Sequence, residues 1–346
     1  MRRGLLIFLF AGSGVVAASE PVPVPPVAQM DTVVVSGEQP GPGLWKVSKG
    51  DHVLWVLGTL APLPKDISWK SKEVAAVIAS AQEVLTAPEV AVTAKVGFFG
   101  QLALLPSLIG LRKNPDGTTL KEVVPADLYA RWSVLKEKYI GRSGKVETWR
   151  PIFAALDLYE AAIRKNGLTD SGLVQKTVKE AARHAGVKLT SPKVELAIED
   201  PKTALKEFKK DPLDDLECFR KTLDRIDTDL AAMTARANAW ATADLDALRS
   251  LPYTDQMAAC RAAITDSNLA RTRGAGDIDA RVEQTWVAAA TRALASNQVT
   301  FAMLPIARLL SSDGYLWRLQ AQGYVVVAPD SAQEDAADLG PGVSAR

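Results

Sequence analysis

The stretch LWKVSKGDHVLWVLGTLAPLP, residues 44–64, holds two apolar runs on either side of Lys49-Gly50-Asp51. Gly-Asp between β-rich runs is a hairpin signal, so 44–59 reads as two antiparallel strands. The second run stops at Gly58-Thr59. Glycine at a strand exit marks a sharp turn or a close backbone approach. The residues that follow are Leu60, Ala61 and Pro62, none of which can do acid–base or metal chemistry.

Working outward from this hairpin, a helix is expected over SWKSKEVAAVIASAQ, with Val74, Val77, Ile78 and Ala81 on one face. EVLTAPEV then reads as a short strand. The middle of the chain is helical. Leu128, Trp132, Leu135 and Tyr139 recur at helical spacing after Pro125. Ile152, Leu156, Tyr159 and Ile163 do the same before Gly167, and Val174, Val178, Ala181 and Ala185 do so before Gly186. GVKLTSPKVELAI, interrupted by Pro192, reads as a broken strand or loop. Leu216, Phe219, Leu223, Ile226, Leu230, Met233, Ala237 and Trp240 alternate spacings of three and four, a heptad seam. That seam suits a helix packed on its neighbours, and it also offers a homodimer interface over 216–240. Near the end, TWVAAATRALA is a helix, VTFAML a buried strand, DGYLWRLQAQG a helix and YVVVAP a last strand. Strands at both ends and helices between them predict an α/β fold, a mixed sheet of N- and C-terminal strands with a large helical insertion packed over it.

The 346 residues carry a formal charge of +1, which excludes neither class of globular protein but gives no electrostatic reason for a nucleic-acid partner. Arg2-Arg3, the apolar run Leu5–Val16 and the small residues to Ala18 have the parts of a secretory signal peptide, 1–18, cleaved after Ala18. Loss of Arg2 and Arg3 with it takes +1 to −1. A periplasmic or secreted protein without a stable membrane span is expected. Residues 19–43 are proline-rich and read as a disordered linker, 44–328 as the folded domain and 329–346 as a flexible tail. A second apolar run, Phe98–Leu111, is too short to span a bilayer and contains Pro106; it reads as buried or as a cover over a groove. The two cysteines, Cys218 and Cys260, form a disulfide in an oxidising compartment, two buried thiols being the alternative.

Counting restricts the chemistry. The two histidines, His52 in the hairpin and His184 at a helix end, read as surface residues. Two scattered histidines and two distant cysteines make no zinc site of the usual type. No G-x-S-x-G, phosphate-binding loop or dinucleotide fingerprint occurs.

LWKVSKGDHVLWVLGTLAPLPKDISWKSKEV and TFAMLPIARLLSSDGYLWRLQAQGYVV together resemble the opening and closing units of the TraB/GumN family, which is related to Tiki-type metal-dependent proteases. AIEDPKTALKEFKKDPLDD between them is similar to that family's G-L-E-T segment. The resemblance implies histidine and carboxylate ligands around a divalent metal that activates water. At the positions matching that site, Gly58, Thr59, Glu199, Asp313 and Gly314 are retained. The first expected histidine is Ala61 and the second is Arg308. The expected acidic residue falls near Ala87, with Glu89 offset from it. Alanine offers no lone pair and arginine repels a cation, so no metal cofactor is expected. Arg308 facing Glu199 in place of the ion is the corresponding expectation. The reading that follows is a catalytically inactive binding or scaffold protein, with a peptide or glycan as ligand. The family name carries an association with exopolysaccharide production. The alternative is a hydrolase with a site rebuilt from Glu199, Glu89 or Asp313.

Overall fold

The computed structural model describes residues 41–94, 104–251 and 256–329. These fall in one compact unit that spans Val34–Arg346. The expected signal peptide, most of the linker and nearly all of the tail lie outside the described residues. The packed chain starts slightly before the expected boundary: Gly41 and Pro42 are buried, and the Gly41 N–H donates to the Ala241 carbonyl at 2.8 Å.

The hairpin forms as its sequence predicts. Strands β1 (Leu44–Lys49) and β2 (His52–Thr59) pair antiparallel, with Leu44 opposite Leu57 and Lys49 opposite His52. They join a six-stranded mixed sheet in the order β10-β1-β2-β9-β4-β7. Here β4 is Glu83–Leu85, β7 Lys188–Thr190, β9 Val299–Pro305 and β10 Val325–Val327. β1 alone runs against the other five. The expectation of an α/β fold with N- and C-terminal strands holds. One edge strand, β7, comes from the middle of the chain, and Ser191-Pro192 separates it from β8 (Lys193–Ile198). Proline cannot donate to a ladder, which ends the pairing there. β8 then pairs in parallel with β5 (Glu89–Ala94) as a separate two-stranded sheet.

Two apolar cores support this arrangement. One wraps the sheet: Val47, Leu54, Val56, Phe301, Ala302 and Met303 are fully buried against Trp240, Trp286 and the helix Ile278–Ser296. The other lies mainly among helices, where Trp132, Leu158, Phe219 and Leu223 meet. The helices that build it, Ala126–Tyr139, Pro151–Lys165 and Leu216–Thr228, carry the apolar repeats that predict them.

Two expectations are corrected. The row 216–240 is two helices, Leu216–Thr228 and Leu230–Ala241, broken at Asp229. Phe219, Leu223, Ile226 and Met233 feed the helical core, while Ala237 and Trp240 feed the sheet core. The run Phe98–Leu111 is also not buried where it is described: Leu105, Leu108 and Ile109 are exposed, and residues 95–103 lie outside the described residues. Among the described residues no helix is long and apolar enough to cross a membrane. The expected pair Cys218 and Cys260 is joined, S–S 2.01 Å, and ties Leu216–Thr228 to the helix Gln256–Thr265.

Candidate functional site

The carboxyl ends of parallel strands are where open α/β sheets place ligands. β2 and β9 are parallel neighbours, with Gly58 opposite Leu304 and Thr59 opposite Pro305. A cavity of about 280 Å³ lies at their ends; Thr59 and the following Leu60 and Ala61, and Pro305 and the following Ile306 and Ala307, line it. A second cavity, about 520 Å³, shares Leu60, Ile306 and Ala307 with the first and adds Arg236 and Leu248–Leu251. Together they form a two-lobed depression on either side of the strand ends.

The strand exit is built by packing. Gly58 has buried neighbours so close that a Cβ there would stand 2.4 Å from Ile306 Cδ1. Its carbonyl accepts from Trp240 Nε1 at 2.8 Å. The Ala61–Pro62 peptide bond is cis. The chain then turns into β3 (Leu63–Pro64), which pairs with β6 (Leu168–Thr169). That pairing brings the next residue, Asp170, into the same cavity as Ala61. Tyr159, Gln175, Arg225 and Met257 complete the lining named here.

Among the described residues, Asp170 is the one carboxylate in the lining of this cavity. It is exposed at the cavity mouth, and partial desolvation by the surrounding groups raises its pKa, against the opposing charge of Arg225 and with help from Glu160. Arg225 is buried and lies over the Tyr159 ring, 5.3 Å from guanidinium carbon to centroid. Its Nε is 3.5 Å from Asp229 Oδ2. Arg236 donates to both oxygens of Asp229, at 3.0 and 2.6 Å. The helix break at Asp229 thus places one carboxylate between two buried guanidiniums, Arg225 in the lining of the smaller cavity and Arg236 in that of the larger.

The residues expected from sequence are distributed differently. Thr59 and Ala61 line the cavity, and Gly58 supports it from behind. Arg308 is exposed on the short helix Ile306–Leu309 just after β9. Its charge acts on Asp313 and on Tyr315. Asp313 is exposed, and its pKa is held below the usual range chiefly by the Ser311 hydroxyl, which donates to it at 2.6 Å. Glu199 lines another cavity, about 880 Å³, with Asp200, Glu207, Lys210 and Arg273; Arg308 is absent from that lining. Glu89 is exposed at the start of β5, opposite Lys193, and Ala87 lies in the turn before it. His52 Nε2 stands 3.7 Å from Asp51 at the hairpin turn, and His184 is exposed at a helix end.

The hairpin at one end, β9 with its following helix at the other, and their parallel pairing define a family. The chain belongs to the TraB/PrgY/gumN family. The match covers residues 43–328. No match was found among curated proteins or among solved structures. The donor set at the strand ends of this TraB/PrgY/gumN family member can be compared with the ion that the resemblance implies. Ala61, Pro305, Ile306 and Ala307 offer no side-chain lone pair. Among the described residues no three His, Cys, Asp or Glu side chains group as a metal site. The residues present do not fit the divalent ion that the resemblance implies.

Asp170, Tyr159 and Arg225 have no signal in the sequence. Asp170 sits in GLTDSG, where a polar loop after a helix-stopping glycine is the plain reading. The weak clue is the β-prone Leu168-Thr169 before it, too short to mark a strand.

Proposed function

We propose that this chain is an exported, non-catalytic member of the TraB/PrgY/gumN family that binds a ligand at the carboxyl ends of β2 and β9. The observation that carries the reading is the lining at those ends. Ala61 and Ala307 stand beside Thr59, Tyr159, Gln175 and Asp170, so the site offers apolar contact and hydrogen bonds in place of metal ligands. A cavity of about 280 Å³ suits one side chain of a peptide or one sugar ring of a glycan. The neighbouring lobe gives room for the next residue or ring. The signal-peptide pattern expected at 1–18 and the Cys218–Cys260 bridge are in keeping with an oxidising compartment.

The test is metal analysis of the purified protein together with a peptide-hydrolysis assay with and without chelator. The expected result is metal well below one equivalent and no chelator-sensitive hydrolysis. Stoichiometric metal, or cleavage abolished by chelator, overturns the reading.

One observation favours a second reading, residual acid–base chemistry without metal. Asp170, exposed at the cavity mouth, lines the cavity with Tyr159 and Arg225, and its pKa is raised. Hydrolysis that resists chelator and disappears in Asp170→Asn would establish it instead.

A further inference from the structure

The described part of the second apolar run stands out on the surface. Leu105, Leu108 and Ile109 are 55%, 48% and 76% exposed, and Ile109 is the most exposed large apolar side chain among the described residues. Exposed aliphatics scattered singly need no explanation, but three within five residues form a patch. None of the three lines a cavity described above. They make an exposed apolar tip at the end of the helical turn 104–108.

The base of the tip is firmly built. Residues 104–108 are helical, and Leu111 and Lys113 close turns onto the carbonyls of Leu108 and Gly110 at 3.2 and 3.0 Å. Arg150 N–H donates to the Arg112 carbonyl at 2.8 Å, and its Nε donates to the Lys113 carbonyl at 3.3 Å. Lys113 bridges to Trp149, and the Arg112 guanidinium lies 5.2 Å from the Trp149 ring centroid. Arg112 and Lys113 are themselves exposed. In the sequence no charged residue occurs between Lys95 and Arg112.

An uncharged apolar tip with cations and an indole at its base matches the interfacial layer of an anionic bilayer. The aliphatic side chains enter the acyl boundary while the two cations stay with the headgroups. We propose that Leu105, Leu108 and Ile109, flanked by Arg112 and Lys113, seat this protein peripherally on an anionic lipid surface. The two exposed cations at the base favour an anionic lipid surface over a second copy of the chain. The inference is independent of the ligand site, since it uses none of its residues.

The full chain is tested with Ser107→Cys carrying an environment-sensitive dye, both native cysteines being held in the disulfide. The dye reports insertion of the tip alone, so a leader that binds lipid elsewhere does not mimic it. Vesicles of phosphatidylcholine with and without phosphatidylglycerol are titrated in. The expected result is a blue shift, with at least tenfold tighter binding on the anionic vesicles at low salt. Leu108→Asp with Ile109→Asp, both at exposed positions, removes the shift, and circular dichroism checks the fold. The proposal is overturned by an unshifted dye or by a shift that survives the double variant. A shift that grows with protein concentration without vesicles also overturns it and assigns the tip to self-association.

Discussion

A methyl group on Gly58 would stand 2.4 Å from Ile306 Cδ1, 3.2 Å from Trp45 and 3.3 Å from Leu309. All three neighbours are buried, so little room exists for them to give way. Gly58 is therefore there to let the strand exit lie against the helix that follows β9. Gly58→Ala is expected to lower stability by about 1–3 kcal/mol through overpacking, read by urea unfolding. A loss below about 0.5 kcal/mol, the scale of an ordinary surface change, would show that Ile306 moves freely. Ala61 is legible as a missing ligand from composition alone, because two histidines are all the chain has and neither lies nearby in sequence. Asp170 is not legible, because its place beside Ala61 depends on two-residue strands, β3 and β6, that propensity cannot detect.

At the scale of elements, helices with a long apolar repeat were readable and their ends were less so. The heptad row 216–240 has no glycine or proline to mark its break. At the break Asp229 sits between Arg225 and Arg236, four residues before and seven after it, a charge pairing that apolar periodicity does not record. The start of the same helix pair carries a titratable device. Asp215 is buried and accepts from the Ile152 N–H at 2.9 Å, so it serves the N-terminus of the helix Pro151–Lys165. Burial pushes its pKa up to about 6, against that hydrogen bond and the charge of Arg150. An unfolded carboxylate titrates near ~4, so between about pH 4 and 6 the folded chain holds the extra proton. Stability contributed by this group therefore rises as pH falls from about 6 to about 4, and the cost of the buried charge is fully present above that window. Asp215→Asn keeps the acceptor and removes the titration. Between pH 7 and pH 4 the wild type should gain up to about 3 kcal/mol relative to the variant, measured as the difference of their unfolding free energies. Parallel pH profiles for the two proteins would refute the assignment.

At the scale of the whole molecule, two cores are joined by shared helices and by one covalent link. The Leu230–Ala241 helix carries Met233 into the helical core and Trp240 into the sheet core, where it bonds the Gly58 carbonyl. The disulfide spans 42 residues and crosses the helical layer. Closing a loop of that length restricts the unfolded chain and stabilises the fold by about 3–4 kcal/mol in the chain-entropy model. Replacing both cysteines by serine should lower the unfolding free energy by about that amount, and reducing the wild type should reproduce it. An unchanged unfolding midpoint after reduction would remove the bridge from the list of stabilising features.

The sequence by itself determined the elements that repeat locally: the hairpin, the amphipathic helices, the closing strand–helix–strand unit and the family to which their order belongs. It also determined that no histidine stands at 61 or 308, since that is a matter of which letters are present. Only the tertiary structure decided which groups meet at the strand ends, because β2, β6, β9 and the arginine-bearing helices are distant in the chain and come together through sheet pairing and core packing. Apolar periodicity records that a face is buried and carries no address for its partner. The same limit explains the tip at Leu105–Ile109: an apolar run reads as core in sequence, and only the packed chain shows that nothing described covers it.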